Sequence, residues 1–166
     1  MAKKDFRPVD RVLDEYSQSH SNPTNRLIQY ISIPLLVFGF LGLVWWLPFP
    51  YLVILGKYNG FVNWGSFIIA FSIYYYYRLS PMLSYGALLL VFALSAGIVS
   101  LEKLQKQGFA ELWQVCLVIF GVAILLQSIG HSVEGKFPSI SNRFKNLLVA
   151  PLWLISEIFK KIGIKV

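Results

Sequence analysis

Cysteine is almost absent from this chain. Cys116 is the only one and lies inside an apolar run, which excludes a disulfide framework and any cysteine-based zinc site. Histidine is nearly as scarce, with His20 and His131 alone among 166 residues. Charge is thin as well: 14% of residues are charged, against about a quarter in an average soluble domain. The sequence holds no Walker-type phosphate loop, no GxSxG elbow, no HExxH and no CxxC. No acid or base falls inside a long apolar run and no inverted repeat is evident, which leaves transport little support.

What is abundant is apolar. Residues of the hydrophobic class make up 56% of the chain and aromatics 16%, a balance that excludes a soluble globule and points to membrane lipid as the main surrounding. The formal charge of +7 would suggest nucleic acid in a soluble protein. Here the basic residues flank apolar runs and form no stripe interleaved with base-stacking aromatics, so no nucleic acid partner is expected and anionic headgroups suit them better. Residues 1–26 are polar and mixed in charge, and the apolar stretch that follows is too long for a signal core, so it is expected to remain as an anchor.

The length fits a single membrane domain, residues 1–166. A spanning helix needs about 20 largely apolar residues, and four uncharged runs supply them at about 27–47, 58–77, 79–101 and 112–132. Residues 1–26 form an arm in which 9–16 can make an amphipathic turn or two, and 133–166 form a tail. Pro34 is expected inside the first span, where it removes a backbone donor. The apolar piece at 147–156 contains Pro151 and is too short to cross, so it is expected to lie in the interface.

Of the 15 Lys and Arg residues, only Lys57, Lys103 and Lys106 fall on the side opposite the arm and tail, which by the positive-inside rule places both termini in the cytosol. Trp45, Trp46, Trp64 and Trp113 then mark the far interface, and the tyrosines at 74–77 the near one. The expected fold is therefore an all-α integral membrane protein, with four transmembrane helices plus a C-terminal interfacial amphipathic helix and both termini cytosolic. Either a bacterial inner membrane or the endoplasmic reticulum would suit it, and a homo-oligomer is compatible with a unit of this size.

The same topology brings His20 and His131 to one face. On the last span, Gln127 and His131 are four apart and His131 and Glu134 three apart, so the three can share a helical face. Gln29 is the one strongly polar side chain early in the first span, where polar groups usually turn toward a bundle interior. Two histidines and a carboxylate are the ligand set of mononuclear non-haem iron oxygenases, and His20, His131 and Glu134 are the candidates. Plainer readings stand beside this one. Histidines at helix ends often titrate freely; Asn22, Pro23 and Asn25 fit a helix start; Gln29 and Gln127 suit interhelical bonds; Glu134 suits neutralising Lys136.

The stretches HSNPTNRLIQYISIP (20–34) and QSIGHSVEGKFPS (127–139), with apolar spans between, resemble a known family: membrane-embedded, iron-dependent 2-hydroxy fatty acid dioxygenases and bacterial relatives long described as a domain of unknown function. In that family's pattern a histidine is followed by an asparagine five residues on and a second histidine four further, and later by Gly-His with an acid three or four residues beyond. His20, Asn25, Gly130, His131 and Glu134 match, whereas Gln29 stands where the family usually has its second histidine. The resemblance implies Fe(II) as cofactor, O2 as co-substrate and a 2-hydroxy fatty acid as substrate, which emerges one carbon shorter. It implies metal ligation by His20, His131 and Glu134, with Asn25 and Gln29 in the catalytic set. Arg26, ahead of Lys136 and Arg143, would hold the substrate carboxylate, with Gln127 beside it. The glutamine also opens an alternative, a catalytically degenerate member that binds lipid or a membrane partner.

Overall fold

The computed structural model describes residues 7–135 and 140–164, with side chains at 60–61 and 140–146 outside that description. Among the described residues every regular element is helical. A short amphipathic helix α1 (Pro8–Ser19) has proline at its first turn and turns Val9, Leu13 and Tyr16 inward. Helix α2 (Pro23–Trp46) starts four residues earlier than the apolar run, because Asn22 accepts the Thr24 backbone N–H and Pro23 occupies the first turn. Pro34 sits inside α2 as expected.

Beyond α2 a 3-10 segment (Val53–Phe61) leads to α3 (Trp64–Leu79). The run at 58–77 is thus not one helix. Asn63 and Ser66 form a reciprocal capping box that fixes the start of α3 at Trp64. Ser80 closes α3 and caps α4 (Pro81–Gln105), whose first-turn proline makes the bend abrupt. Helix α5 (Leu112–Glu134) ends at Gly135, whose φ of 70° is the left-handed stop that glycine takes without penalty.

The last helix, α6 (Ile140–Lys161), extends the expected ten-residue piece to 22 residues. Its middle is buried rather than laid on a surface: Val149, Ala150 and every residue from Leu152 to Ser156 are covered, chiefly by α1, α2 and α4. One core cluster joins α1, α6 and the adjoining halves of α2, α3 and α4 around Trp153, Ile33 and Leu83. A second joins Leu41, Ile98, Leu112 and Cys116 at the other end.

Helices α2 and α5 run antiparallel in close contact, with glycines where the backbones approach. A β-carbon on Gly39 would lie 2.8 Å from Phe120, one on Gly42 would meet the Cys116 sulfur, and one on Gly130 would meet Asn25 Oδ1. Small residues permit such approach where apolar burial gives no preference for helix over lipid. Three helices, α2, α4 and α5, are long and apolar enough to cross a membrane. At 16 residues α3 is shorter, which gives it a length of about 24 Å.

Candidate functional site

The close approach of α2 and α5 decides the site. It brings the α1–α2 linker, which carries His20, beside the last turn of α5, which carries His131 and Glu134. The two imidazole rings lie 5.6 Å apart between centroids and are tilted by 49°. His20 is buried, 2% exposed, and its ring stacks on Tyr16 at 4.3 Å. Its Nδ1 is 2.9 Å from the Tyr16 carbonyl oxygen. A carbonyl only accepts, so in the neutral ring Nδ1 carries the proton and Nε2 keeps its lone pair, the arrangement common to metal-binding histidines. Burial also pulls the His20 pKa below its ordinary value, outweighing the Tyr16 carbonyl and Glu134, which favour the charged ring.

Glu134 reaches across to the linker. Its Oε1 accepts from the Ser21 backbone N–H at 2.9 Å and the Ser21 hydroxyl at 2.6 Å. The Asn22 backbone N–H reaches both oxygens, at 3.3 and 3.1 Å, and Asn25 Nδ2 donates to Oε2 at 3.0 Å. From there a buried chain runs inward: Gln29 Nε2 donates to Asn25 Oδ1 at 3.3 Å, and the Tyr16 hydroxyl donates to Gln29 Oε1 at 3.4 Å. Every bond of the chain points one way, from Tyr16 through Gln29 and Asn25 to the carboxylate, an acceptor when ionised.

The open readings divide accordingly. Asn22 and Pro23 are the helix start, whereas Asn25 is buried and serves the network instead. Gln29 bonds between helices through Tyr16. Gln127 lies half-buried one turn before His131. Arg26 pairs with Glu157 of α6 at 3.6 Å and its guanidinium lies 5.8 Å from the Trp153 ring centroid, while its Nε finds no partner among the described residues. Lys136 and the Arg143 side chain lie outside the described residues.

Three contributors escape the sequence reading. Tyr16 could have been suspected, since it stands one helical turn before His20. Trp153, which donates to Ser17 Oγ at 2.9 Å and lies 5.2 Å from Tyr16, and Glu157 are brought in by α6 alone. A cleft of about 500 Å³ opens between α1 and the end of α6, lined by Asp10, Leu13, Asp14, Ser156 and Lys160, and it includes neither histidine.

An iron ion, implied by the resemblance, fits these residues in part. A metal about 2.0 to 2.1 Å from one nitrogen of each of two imidazoles puts the ring centroids roughly 4.5 to 6.5 Å apart, which the histidine pair satisfies at 5.6 Å. Glu134 does not complete the set in this arrangement. Its oxygens are engaged by the linker, and among the described residues no three His, Cys, Asp or Glu side chains stand close enough to hold a metal.

Fold and site together define a helical protein with membrane-grade helices and a histidine pair at the end of its tightest helix contact. The chain belongs to the Mpo1-like family, described as 2-hydroxy-palmitic acid dioxygenase Mpo1-like, whose model matches residues 6–162. Comparison with curated proteins and with solved structures returns no match.

Proposed function

We propose that this chain is a membrane-embedded Fe(II)-dependent dioxygenase that converts 2-hydroxy fatty acids to acids one carbon shorter. The observation that carries this reading is the His20–His131 pair, 5.6 Å apart, with the Tyr16 carbonyl fixing the His20 tautomer. In this reading the three long helices and α3 make four crossings with both termini cytosolic, and the pair lies at the cytosolic leaflet. A substrate tail stays in lipid there while its headgroup reaches the histidines.

His20 and His131 would hold the iron, which when bound supplies the activation of O2. The balance closes with one O2 consumed and C1 leaving as carbon dioxide together with one water. Tyr16 orients His20 by stacking and by its carbonyl. Glu134 grips the linker so that His20 stays against His131. In this reading Arg26, whose guanidinium sits between Glu157 and Trp153 with a buried Nε that finds no partner among the described residues, meets the substrate carboxylate, with Gln127 one turn before His131 beside it.

The test is to purify the protein in detergent, quantify bound iron and follow oxygen uptake with a 2-hydroxy fatty acid. Wild type is expected to hold iron and consume oxygen, and His131→Ala to lose both; an active His131→Ala would sink the assignment. A specific observation favours a second reading, a non-catalytic lipid-binding member: the Gln29 amide, at the position where the resemblance implies a histidine, is already bonded to Tyr16 and Asn25. Wild type without metal or uptake, together with iron binding gained in Gln29→His, would select that reading.

A further inference from the structure

We infer that residues 47–63, between α2 and α3, form a wedge seated in lipid on the leaflet opposite the histidines, and that this wedge completes the crossing that α3 is too short to make. The inference rests on the four-crossing reading above and is independent of the dioxygenase chemistry.

The first observation is one of level. The start of α3 packs on the last turns of α2: a β-carbon on Gly65 would be 3.4 Å from Leu41 and 3.0 Å from the Trp45 ring. Leu41 in turn shares a core cluster with Ile98 of α4 and Cys116 of α5. Helix α4 continues past Ile98 and meets its first charged residues at Glu102 and Lys103, about 6 Å further along the axis. The cluster also holds Leu112, next to Glu111, so the chain enters α3 level with the last uncharged turns of its neighbours.

The second observation is what the segment presents. Val53 is 85% exposed, Ile54 92% and Tyr51 70%, values that in water would leave bare apolar side chains at the tip of a loop. The tip is also held in shape. Asn59 Oδ1 accepts the Leu52 N–H at 2.8 Å, and its Nδ2 donates to the Leu52 and Gly56 carbonyls at 2.7 and 3.0 Å. Gly56, with φ of 48°, takes the left-handed bend between them. These bonds satisfy backbone groups internally, which a segment in contact with lipid requires.

The third is the rim. Trp46, Lys57 and Trp64 flank the apolar tip in sequence, and the Trp64 indole donates to the Pro48 carbonyl at 3.1 Å while Phe49 packs on its ring. Indoles and a lysine around an apolar tip are the composition of an interfacial anchor, whose apolar side sinks about 5 to 10 Å into the headgroup and acyl boundary. The occupant is therefore lipid rather than a second protein. Such a wedge fixes the height of the bundle, and with it the level of the histidine pair in the other leaflet.

The experiment attaches an environment-sensitive dye to Ile54→Cys, and separately to Tyr51→Cys, in full-length protein in phosphatidylcholine and phosphatidylglycerol vesicles. Buried Cys116 stays in place, with unsubstituted protein as the labelling blank. Gln107→Cys, in the polar turn between α4 and α5, serves as the aqueous reference. Expected at 51 and 54 are blue-shifted emission, quenching by lipids spin-labelled near the headgroup, and iodide quenching about threefold or more below that at 107. Iodide quenching equal to that at 107 would place the tip in water. Protection from both quenchers would mean that protein covers it. Either result overturns the inference and leaves the iron and oxygen measurements untouched.

Discussion

Gln29 lies buried in the polar chain that runs from Tyr16 to Glu134. A histidine there would offer a ring nitrogen, whereas the amide is committed at both ends, its nitrogen to Asn25 and its oxygen to Tyr16. Tyr16→Phe removes the hydroxyl that donates to the Gln29 oxygen and should cost about 1 to 3 kcal/mol, the range for a buried acceptor left unpaired; thermal unfolding in detergent reads this, with little change in helix content. The His20 ring makes a second prediction. Burial holds its folded pKa below the ordinary 6.5, so the unfolded chain binds more protons as pH falls through that value. Metal-free protein should therefore lose stability from about pH 6.5 downward, until the folded ring also titrates. Melting temperatures at pH 7.5 and 5.5 measure this, and His20→Gln should flatten the difference.

At the scale of the element, the notable contact is the last turn of α5 holding a linker more than 100 residues away in sequence, since the Ser21 and Glu134 partners are 113 apart. Four donors converge on one carboxylate there: two backbone N–H groups, a hydroxyl and an amide. Glu134→Ala should expose the Ser21 and Asn22 amides to rapid hydrogen exchange and loosen α1, because both amides lose their carboxylate acceptor together. Exchange measured by mass spectrometry over residues 16–30 checks this, and unchanged protection would remove Glu134 from the role. Gly130→Ala places a methyl group against Asn25 Oδ1, so the α2–α5 approach must widen at the site, at a cost of about 1 to 3 kcal/mol. Gly121→Ala is its control, since a β-carbon there meets nothing within 4 Å.

Across the whole molecule, four crossings predict that both termini lie on one side of the membrane. Tags at the two ends should then be cleaved by protease together in inside-out vesicles, and cleavage of one alone would favour three. The sequence by itself determined the membrane helices, because a bilayer demands long uncharged runs and these are visible without a partner: α2, α4 and α5 fall where the runs do. The start of α5 at Leu112 also coincides with its run, and Asn22 and Pro23 carried the signal for a helix start ahead of the first one. The sequence showed both histidines and, set against the pattern of the family it resembles, the glutamine at position 29. The shortness of α3 was hidden, since a capping box at Asn63 interrupts a run whose hydropathy continues through it. Only the tertiary structure decided that Glu134 grips the linker, that residues 149–156 of α6 pack into the core, and that Tyr16, Trp153 and Glu157 belong around the pair. Hydropathy reports affinity for lipid, which is local to each run; which polar group meets which depends on backbones brought together at Gly39, Gly42 and Gly130, and that approach is a property of two helices at once.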